Sequence, residues 1–196
     1  MTIEVGAEKK AFVIHKDLLS FYSDYFRAVF NGSFKESVER KLCLVHEDVD
    51  VFDIFNAFVY TNQLRDKNGV IGKDLSTFML VRLWLFGEQH LVPALQNAAA
   101  DALMERMAEY DKSPFSIMTH IYALTIDGSP LRRLVIDSQV HRAACNKDKL
   151  AKWPQEALVD LAMAFSDRTP TSRKGSKIPV SHDKCCYHVH SEGEHC

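Results

Sequence analysis

The chain has 196 residues, of which 46% are hydrophobic and 26% charged, and its 24 basic and 26 acidic residues give a net charge of −2. This composition is typical of a folded globular protein with room for one domain and an extension. It excludes disorder throughout the chain, and it lacks the dense basic tract with which proteins bind a nucleic-acid backbone. We therefore expect no nucleic-acid partner.

No part of the sequence indicates contact with a membrane. The longest apolar stretch, residues 78–86, is far too short to span a bilayer and is interrupted by Arg82. The first ten residues lack the apolar core of a signal peptide. We therefore expect a cytoplasmic or nuclear protein without a membrane partner.

The first 45 residues follow a pattern of strands and one helix. Residues 3–5 alternate apolar and polar side chains, and residues 11–14 are rich in β-branched and aromatic side chains, which predicts a hairpin. The apolar spacing then predicts one helix from Lys16 to Asn31. A further strand is predicted at 42–45, with a solvated connection before it at 36–41.

Helical spacing predominates after Asp48. It predicts helices over 51–59 and 95–107, with an almost wholly apolar and therefore buried helix between them at 78–86. Further helix starts are predicted at Pro93, after the Ser-Pro pairs at 113–114 and 129–130, and after Trp153-Pro154. A small sheet with helices clustered on it is an α+β fold.

Composition changes after Ser166, where Thr, Pro, Ser, Lys and Gly replace the apolar residues. Such a segment cannot bury enough apolar surface to offset the entropy of ordering. The sequence therefore predicts a domain over residues 1–110, a helical extension over 111–166 and a disordered tail containing Cys and His over 167–196.

Several short motifs occur in an order typical of one family. They are Phe12-Val13-Ile14-His15-Lys16-Asp17-Leu18-Leu19, Ser23-Asp24-Tyr25-Phe26, Phe34-Lys35-Glu36-Ser37 and Tyr60-Thr61. On these residues the first part of the chain resembles a BTB/POZ domain. The whole arrangement resembles the short intracellular BTB proteins of filamentous fungi, which carry a helical extension and a Cys/His tail. The resemblance implies the α+β BTB fold and a protein-interaction module without catalytic activity.

The resemblance also implies which residues contact a partner. Phe34 and Glu36 match the hydrophobic-x-Glu step that cullin-binding members use, which makes them the candidate partner-binding residues. The function implied is that of a substrate adaptor for a cullin-type ubiquitin ligase, and the alternatives are a self-associating scaffold without a ligase role and a protein that binds zinc through its tail. Considered without the resemblance, the same residues allow a different interpretation, in which Phe34 is a core residue and Glu36 a solvated charge.

Sequence motifs for catalysis are missing from the chain. It contains no G-x-S-x-G elbow, no G-x-x-x-x-G-K-[ST] loop and no H-E-x-x-H helix. His15, at the predicted junction of strand and helix, is expected to be a hydrogen-bonded structural residue. We therefore predict no catalytic residues and no enzyme.

The tail carries the only cluster of residue types that suit a metal. Cys186, His188, His190 and Cys196 could give zinc two sulfur and two nitrogen ligands. The two histidines alternate, so in an extended segment they would face the same way. The spacing matches no common zinc finger, and a tail without metal remains the alternative. No other cofactor is expected, and the odd number of cysteines predicts no disulfide framework.

Overall fold

The chain divides into two structural units. A computed structural model describes residues 1–110, 115–142, 146–166 and 184–190. The first unit is Met1–Ala99 and the second is Ala100–Cys196. Among the helices in the described ranges, none has the length and hydropathy needed to cross a membrane.

The first unit contains a three-stranded sheet with the strand order β2-β1-β3. β1 (Thr2–Val5) pairs antiparallel with β2 (Lys10–Val13) and parallel with β3 (Lys41–Leu44). Alternate residues are buried along β1 and β3, as period-2 geometry requires, and on β2 one residue, Phe12, is buried. The buried side chains are Ile3, Val5, Phe12, Leu42 and Leu44. The predicted hairpin and the later strand are therefore confirmed.

The single helix predicted from Lys16 to Asn31 consists of two helices, α1 (Lys16–Tyr22) and α2 (Asp24–Asn31). Ser23 separates them because its backbone is extended, with φ −141° and ψ 121°. The apolar spacing continues across this break, so the spacing alone could not reveal it.

A short helix, α3 (Lys35–Glu39), occupies the region predicted as a solvated connection. It ends at Arg40, whose backbone is left-handed with φ 53°. The prediction of a connection was wrong because a helix of five residues is too short to show a periodic pattern.

Three longer helices complete the α+β arrangement. α4 (Val49–Thr61) and α5 (Thr77–Gln89) supply most of the buried aromatic side chains of the first unit, and a 3-10 turn at Gly72–Asp74 lies between them. α6 (Pro93–Tyr110) begins at the predicted proline and runs from the first unit into the second. The main buried side chains of α4 and α5 are Phe52, Ile54, Phe55, Phe58, Leu80, Leu83, Trp84 and Phe86.

The second unit is helical over its described residues. Besides the end of α6 it contains α7 (Met118–Leu124), α8 (Pro130–Arg142), α9 (Lys147–Leu150) and α10 (Gln155–Ser166). α8 packs against α10. The helix starts predicted at 129–130 and after Trp153-Pro154 are confirmed, and the one at 113–114 lies outside the described residues.

Part of the predicted tail belongs to this second unit. Lys184–Tyr187 form a 3-10 turn that packs against α8, and the Tyr187 side chain is only 2% exposed. The sequence missed this turn because a single aromatic residue anchors it. Residues 167–183 and 191–196 of the predicted tail lie outside the described residues.

Candidate functional site

The Ser-x-x-Phe motif positions α2 in the first unit. The buried Ser23 Oγ accepts a hydrogen bond from the Phe26 N–H at 3.0 Å and donates one to the carbonyl oxygen of His90 at 2.6 Å. The Phe26 ring stacks on the His90 ring, with 5.6 Å between centroids and 7° between planes. These contacts hold the start of α2 against the end of α5.

The Ile14-His15-Lys16 step at the start of α1 is also structural. His15 Nδ1 lies 2.8 Å from the Tyr60 hydroxyl, and the His15 backbone N–H donates to the same oxygen at 3.2 Å. The two contacts fix the entry to α1 on the end of α4. The prediction that His15 is a hydrogen-bonded structural residue is confirmed.

Phe34 lies just after the end of α2, where the chain turns into α3. A methyl group added at Gly32 would come within 2.8 Å of the Phe34 ring and 2.9 Å of the Ala28 carbonyl oxygen. The ring therefore packs closely over the glycine backbone, yet the residue is 60% exposed. The interpretation of Phe34 as a core residue was wrong.

A second apolar side chain extends this exposed area. Val38 follows Phe34 by four residues, so both belong to one side of the α3 turn, and Val38 is 81% exposed. We call these two residues the α3 surface. Val38 is not among the partner-binding residues predicted from the sequence, because its spacing from Phe34 is informative only when the short helix α3 is known.

Acidic groups surround the neighbouring part of α2. Burial raises the pKa of the Tyr25 hydroxyl, and the negative charges of Glu36 and Glu47 raise it further. Glu47 is held by Gln89 Nε2 at 2.9 Å and by His90 Nε2 at 3.0 Å. Glu36 is partly exposed within α3. The α3 surface of Phe34 and Val38 is thus accompanied on the same helix by the Glu36 carboxylate, which can accept hydrogen bonds from a partner.

The structure describes Cys186, His188 and His190 of the predicted metal ligands, and they lie on one segment of the second unit. His188 and His190 contact different groups. Cys186 is exposed. His188 Nε2 lies 3.0 Å from Asp101 Oδ1 on α6. His188 and His190 have ring centroids 6.0 Å apart, and Cys196 lies outside the described residues. Among the residues that the structure describes, no three or more potential ligands are grouped to hold a metal.

A cysteine that the predicted ligand set omitted contacts one of these histidines. The Sγ atom of Cys185 is 3.4 Å from His190 Nε2. Cys185 is also disulfide-bonded. The expectation drawn from the odd cysteine count therefore missed this bond.

The comparisons with known proteins assign the first unit to a family. Residues 1–96 match the family model of the BTB/POZ domain, and no curated protein matches the chain. Together with the small sheet and its helices, this match makes the N-terminal part of the chain a BTB/POZ domain, as the motifs implied. BTB/POZ domains are protein-interaction modules that bind other proteins and self-associate, and the family is generally non-enzymatic.

Proposed function

We propose that this BTB/POZ domain binds the N-terminal region of a cullin through the α3 surface and thereby acts as a substrate adaptor of a ubiquitin ligase. The observation that carries the proposal is the 60% exposure of Phe34, a large aromatic side chain packed over Gly32 at the position that the family resemblance marks for cullin contact. Adjacent Val38 enlarges the apolar area, and Glu36 supplies the carboxylate of the hydrophobic-x-Glu step.

Phe34 is suited to carry much of the binding energy. Complete burial of a phenylalanine side chain is worth about 1.5–3 kcal/mol, and Phe34 still has most of its surface to bury. Because the ring already packs closely over Gly32, little side-chain freedom is lost on binding. Glu36 is partly exposed, so its contribution is expected to be smaller and to act on orientation and association rate.

An adaptor also needs a surface for its substrate. The helical second unit follows the residues that match the BTB/POZ family, and it exposes apolar side chains on its last described helices and loops. These side chains are Ile126, Val159 and Met163, which are 76%, 52% and 59% exposed. We assign substrate binding to this unit, and the role requires a cytoplasmic or nuclear location.

Binding of the full chain to a purified cullin N-terminal segment, measured by calorimetry, tests the proposal. We expect Phe34→Ala to weaken the affinity by roughly 10- to 100-fold, the effect of losing a hot-spot aromatic side chain, and Glu36→Ala to weaken it less. Phe21→Ala is the matched control, because Phe21 is 78% exposed on α1 and is not part of the α3 surface.

Three results would contradict the adaptor role. They are no association of the wild-type chain, unchanged affinity in the Phe34→Ala variant, and an equal loss in the Phe21→Ala control. Light scattering on the same samples would then distinguish the alternative, because a self-associating scaffold forms oligomers without any cullin.

A further inference from the structure

An open cleft with apolar side chains on both sides lies between the α7–α8 turn and α10 in the second unit. It consists of two adjoining hollows of about 760 and 400 Å³, which share part of their lining. We call it the α10 cleft and define it by six of its lining residues, which are Ile126, Asp127, Glu156, Val159, Asp160 and Met163.

The apolar residues of the α10 cleft are spaced to contact a helix. Val159 and Met163 are four residues apart on α10, so they lie on the same side of the helix about one turn apart. Ridges of side chains with this spacing are those into which a second helix packs. Ile126 extends the apolar area from the opposite side of the cleft, and all three side chains retain at least half of their surface to bury.

The secondary structure of the second unit also favours a helical partner. Its described residues form helices, turns and loops, with no strand among them. A partner that adds a β-strand therefore finds no sheet edge in this part of the chain. An amphipathic helix needs no such edge, because it binds by burying its apolar stripe against exposed side chains.

The charges around the cleft determine which amphipathic helix fits. The lining includes four carboxylates, at Asp127, Asp137, Glu156 and Asp160, and two guanidinium groups, at Arg132 and Arg133. Arg132 is 7% exposed and its Nη1 atom lies 3.1 Å from Glu156 Oε2, so its charge is already paired within the protein. A partner therefore meets an excess of negative charge, which favours lysine and arginine beside its apolar stripe.

Hydrogen bonds within the second unit hold the two sides of the cleft in place. The Arg132 side chain donates to Thr125 Oγ1 at 2.9 Å and to the Tyr122 carbonyl oxygen at 3.0 Å, which fixes the α7–α8 turn. The Tyr122 hydroxyl donates to Asp160 Oδ2 at 2.6 Å, which joins α7 to α10. Because these contacts form the cleft before a partner arrives, little ordering of the protein is needed on binding.

We propose that the α10 cleft binds a basic amphipathic helix of another protein, with the apolar stripe of that helix against Val159 and Met163 and its basic side chains beside Asp127 and Asp160. The inference rests on the proposed adaptor function, because it names the class of substrate that the second unit holds.

Fluorescence anisotropy with a labelled synthetic peptide tests the proposal on the full chain. The peptide has about 18 residues, enough to form a stable helix on binding, with a stripe of leucines flanked by lysines. We expect saturable binding that weakens as salt is added. A peptide with glutamate in place of lysine and a peptide with serine in place of leucine should each bind at least about tenfold more weakly.

Substitutions in the cleft identify the residues that bind the peptide. Val159→Ser and Met163→Ser should each weaken its binding roughly 3- to 10-fold through lost apolar burial, and Asp127→Asn about 2- to 5-fold. Leu124→Ser is the apolar control, because Leu124 is 54% exposed on α7 and lines neither hollow. Asp148→Asn, at an exposed carboxylate of α9, is the charge control. Both controls should keep the wild-type affinity, and circular dichroism verifies that each variant is folded.

The same variants distinguish this proposal from the adaptor role of the first unit. Phe34→Ala should bind the lysine peptide as the wild type does, and Val159→Ser should bind the cullin segment as the wild type does. Peptide binding without cullin binding would retain the cleft and remove the adaptor role. Cullin binding without peptide binding would retain the adaptor role and remove the helix-binding cleft.

Three further results would overturn the proposal. They are equal binding of the lysine and glutamate peptides, unchanged affinity in both Val159→Ser and Met163→Ser, and a loss in the Leu124→Ser control as large as that in Val159→Ser. Self-association of the wild-type chain that Val159→Ser abolishes, measured by light scattering, would also contradict it, because the cleft would then bind a second copy of the chain.

Discussion

Ser23 shows how one polar side chain can position an interaction surface. It is 1% exposed, and its hydroxyl both caps α2 and binds the carbonyl oxygen of His90. An apolar residue at this position would leave a buried N–H of α2 and a buried carbonyl without partners. The Ser-x-x-Phe motif is therefore a structural device that holds α2, and with it the start of α3, in place.

We expect Ser23→Ala to lower the free energy of unfolding by about 1.5–3 kcal/mol, because it removes a helix cap and a second buried hydrogen bond. Ser76→Ala is the matched control, since the Ser76 side chain also caps a helix, α5, by accepting from Met79 N–H at 3.1 Å. The free energy of unfolding of Ser76→Ala should fall by only about 1 kcal/mol. Urea unfolding measures both, and equal losses would show that the bond to His90 contributes nothing.

At the residue scale, the sequence indicated which side chains are candidates for binding, but not which of them are exposed or which lie in contact. The motif containing Phe34 and Glu36 was visible, but whether Phe34 is buried depends on the turn after Gly32, which no local pattern encodes. Cys185 and Cys186 are neighbours of the same type, so the sequence alone could not show which sulfur lies beside His190. The 3-10 turn separates them, because it places Cys185 beside His190.

At the scale of elements, Asp48 connects two helices of the first unit. Its carboxylate caps α4 through the N–H groups of Asp50 and Val51, at 2.8 and 3.0 Å, and lies 3.0 Å from Arg82 Nη1 on α5. Burial alone would raise the pKa of Asp48. The Val51 N–H, the Arg82 guanidinium and the Asp50 N–H together outweigh that effect and lower the pKa below its usual range.

Asp48→Asn should remove the carboxylate charge but keep the helix cap, because asparagine also accepts hydrogen bonds from the N–H groups at a helix start. We expect a loss of about 0.5–1 kcal/mol at neutral pH, the range for a partly exposed charge at a helix N-terminus. The depressed pKa means that the wild-type advantage is present above the unfolded-state pKa and disappears as pH falls through the folded-state value.

Urea unfolding over a series of pH values measures this difference. Asp17→Asn, which neutralises an exposed carboxylate in the first turn of α1, is the control for general charge effects. If the difference in the free energy of unfolding between the wild type and Asp48→Asn stayed constant as the pH falls, the assignment of a lowered pKa to Asp48 would be contradicted.

Element boundaries were predictable where a residue marks them chemically. Pro93 marks the start of α6. Asn62, which directly follows Tyr60-Thr61, ends α4 with a φ of 55°, a left-handed conformation that asparagine tolerates. The break at Ser23 and the short α3 were not predictable from periodicity. At the break, a tertiary contact is involved, since the Ser23 bond to His90 joins residues 67 positions apart in the chain.

At the scale of the molecule, each unit has its own buried core and its own tryptophan. Trp84 lies in α5 of the first unit at 1% exposure, and Trp153 precedes α10 in the second at 6%. The core of the second unit includes Arg132, which donates to the Tyr122 carbonyl oxygen at 3.0 Å, to Thr125 Oγ1 at 2.9 Å and to Glu156 at 3.1 Å.

The two tryptophans allow the stability of each unit to be measured within the full chain. We expect Arg132→Leu to destabilise the second unit by about 3 kcal/mol, because it removes a buried cation and leaves buried oxygens without donors. Fluorescence in a Trp84→Phe background follows Trp153, and a Trp153→Phe background follows Trp84. The midpoint of the unfolding transition reported by Trp153 should move to a lower urea concentration, while the midpoint reported by Trp84 should stay unchanged. Equal shifts at both probes would show instead that the chain unfolds as one cooperative unit through the continuous helix α6.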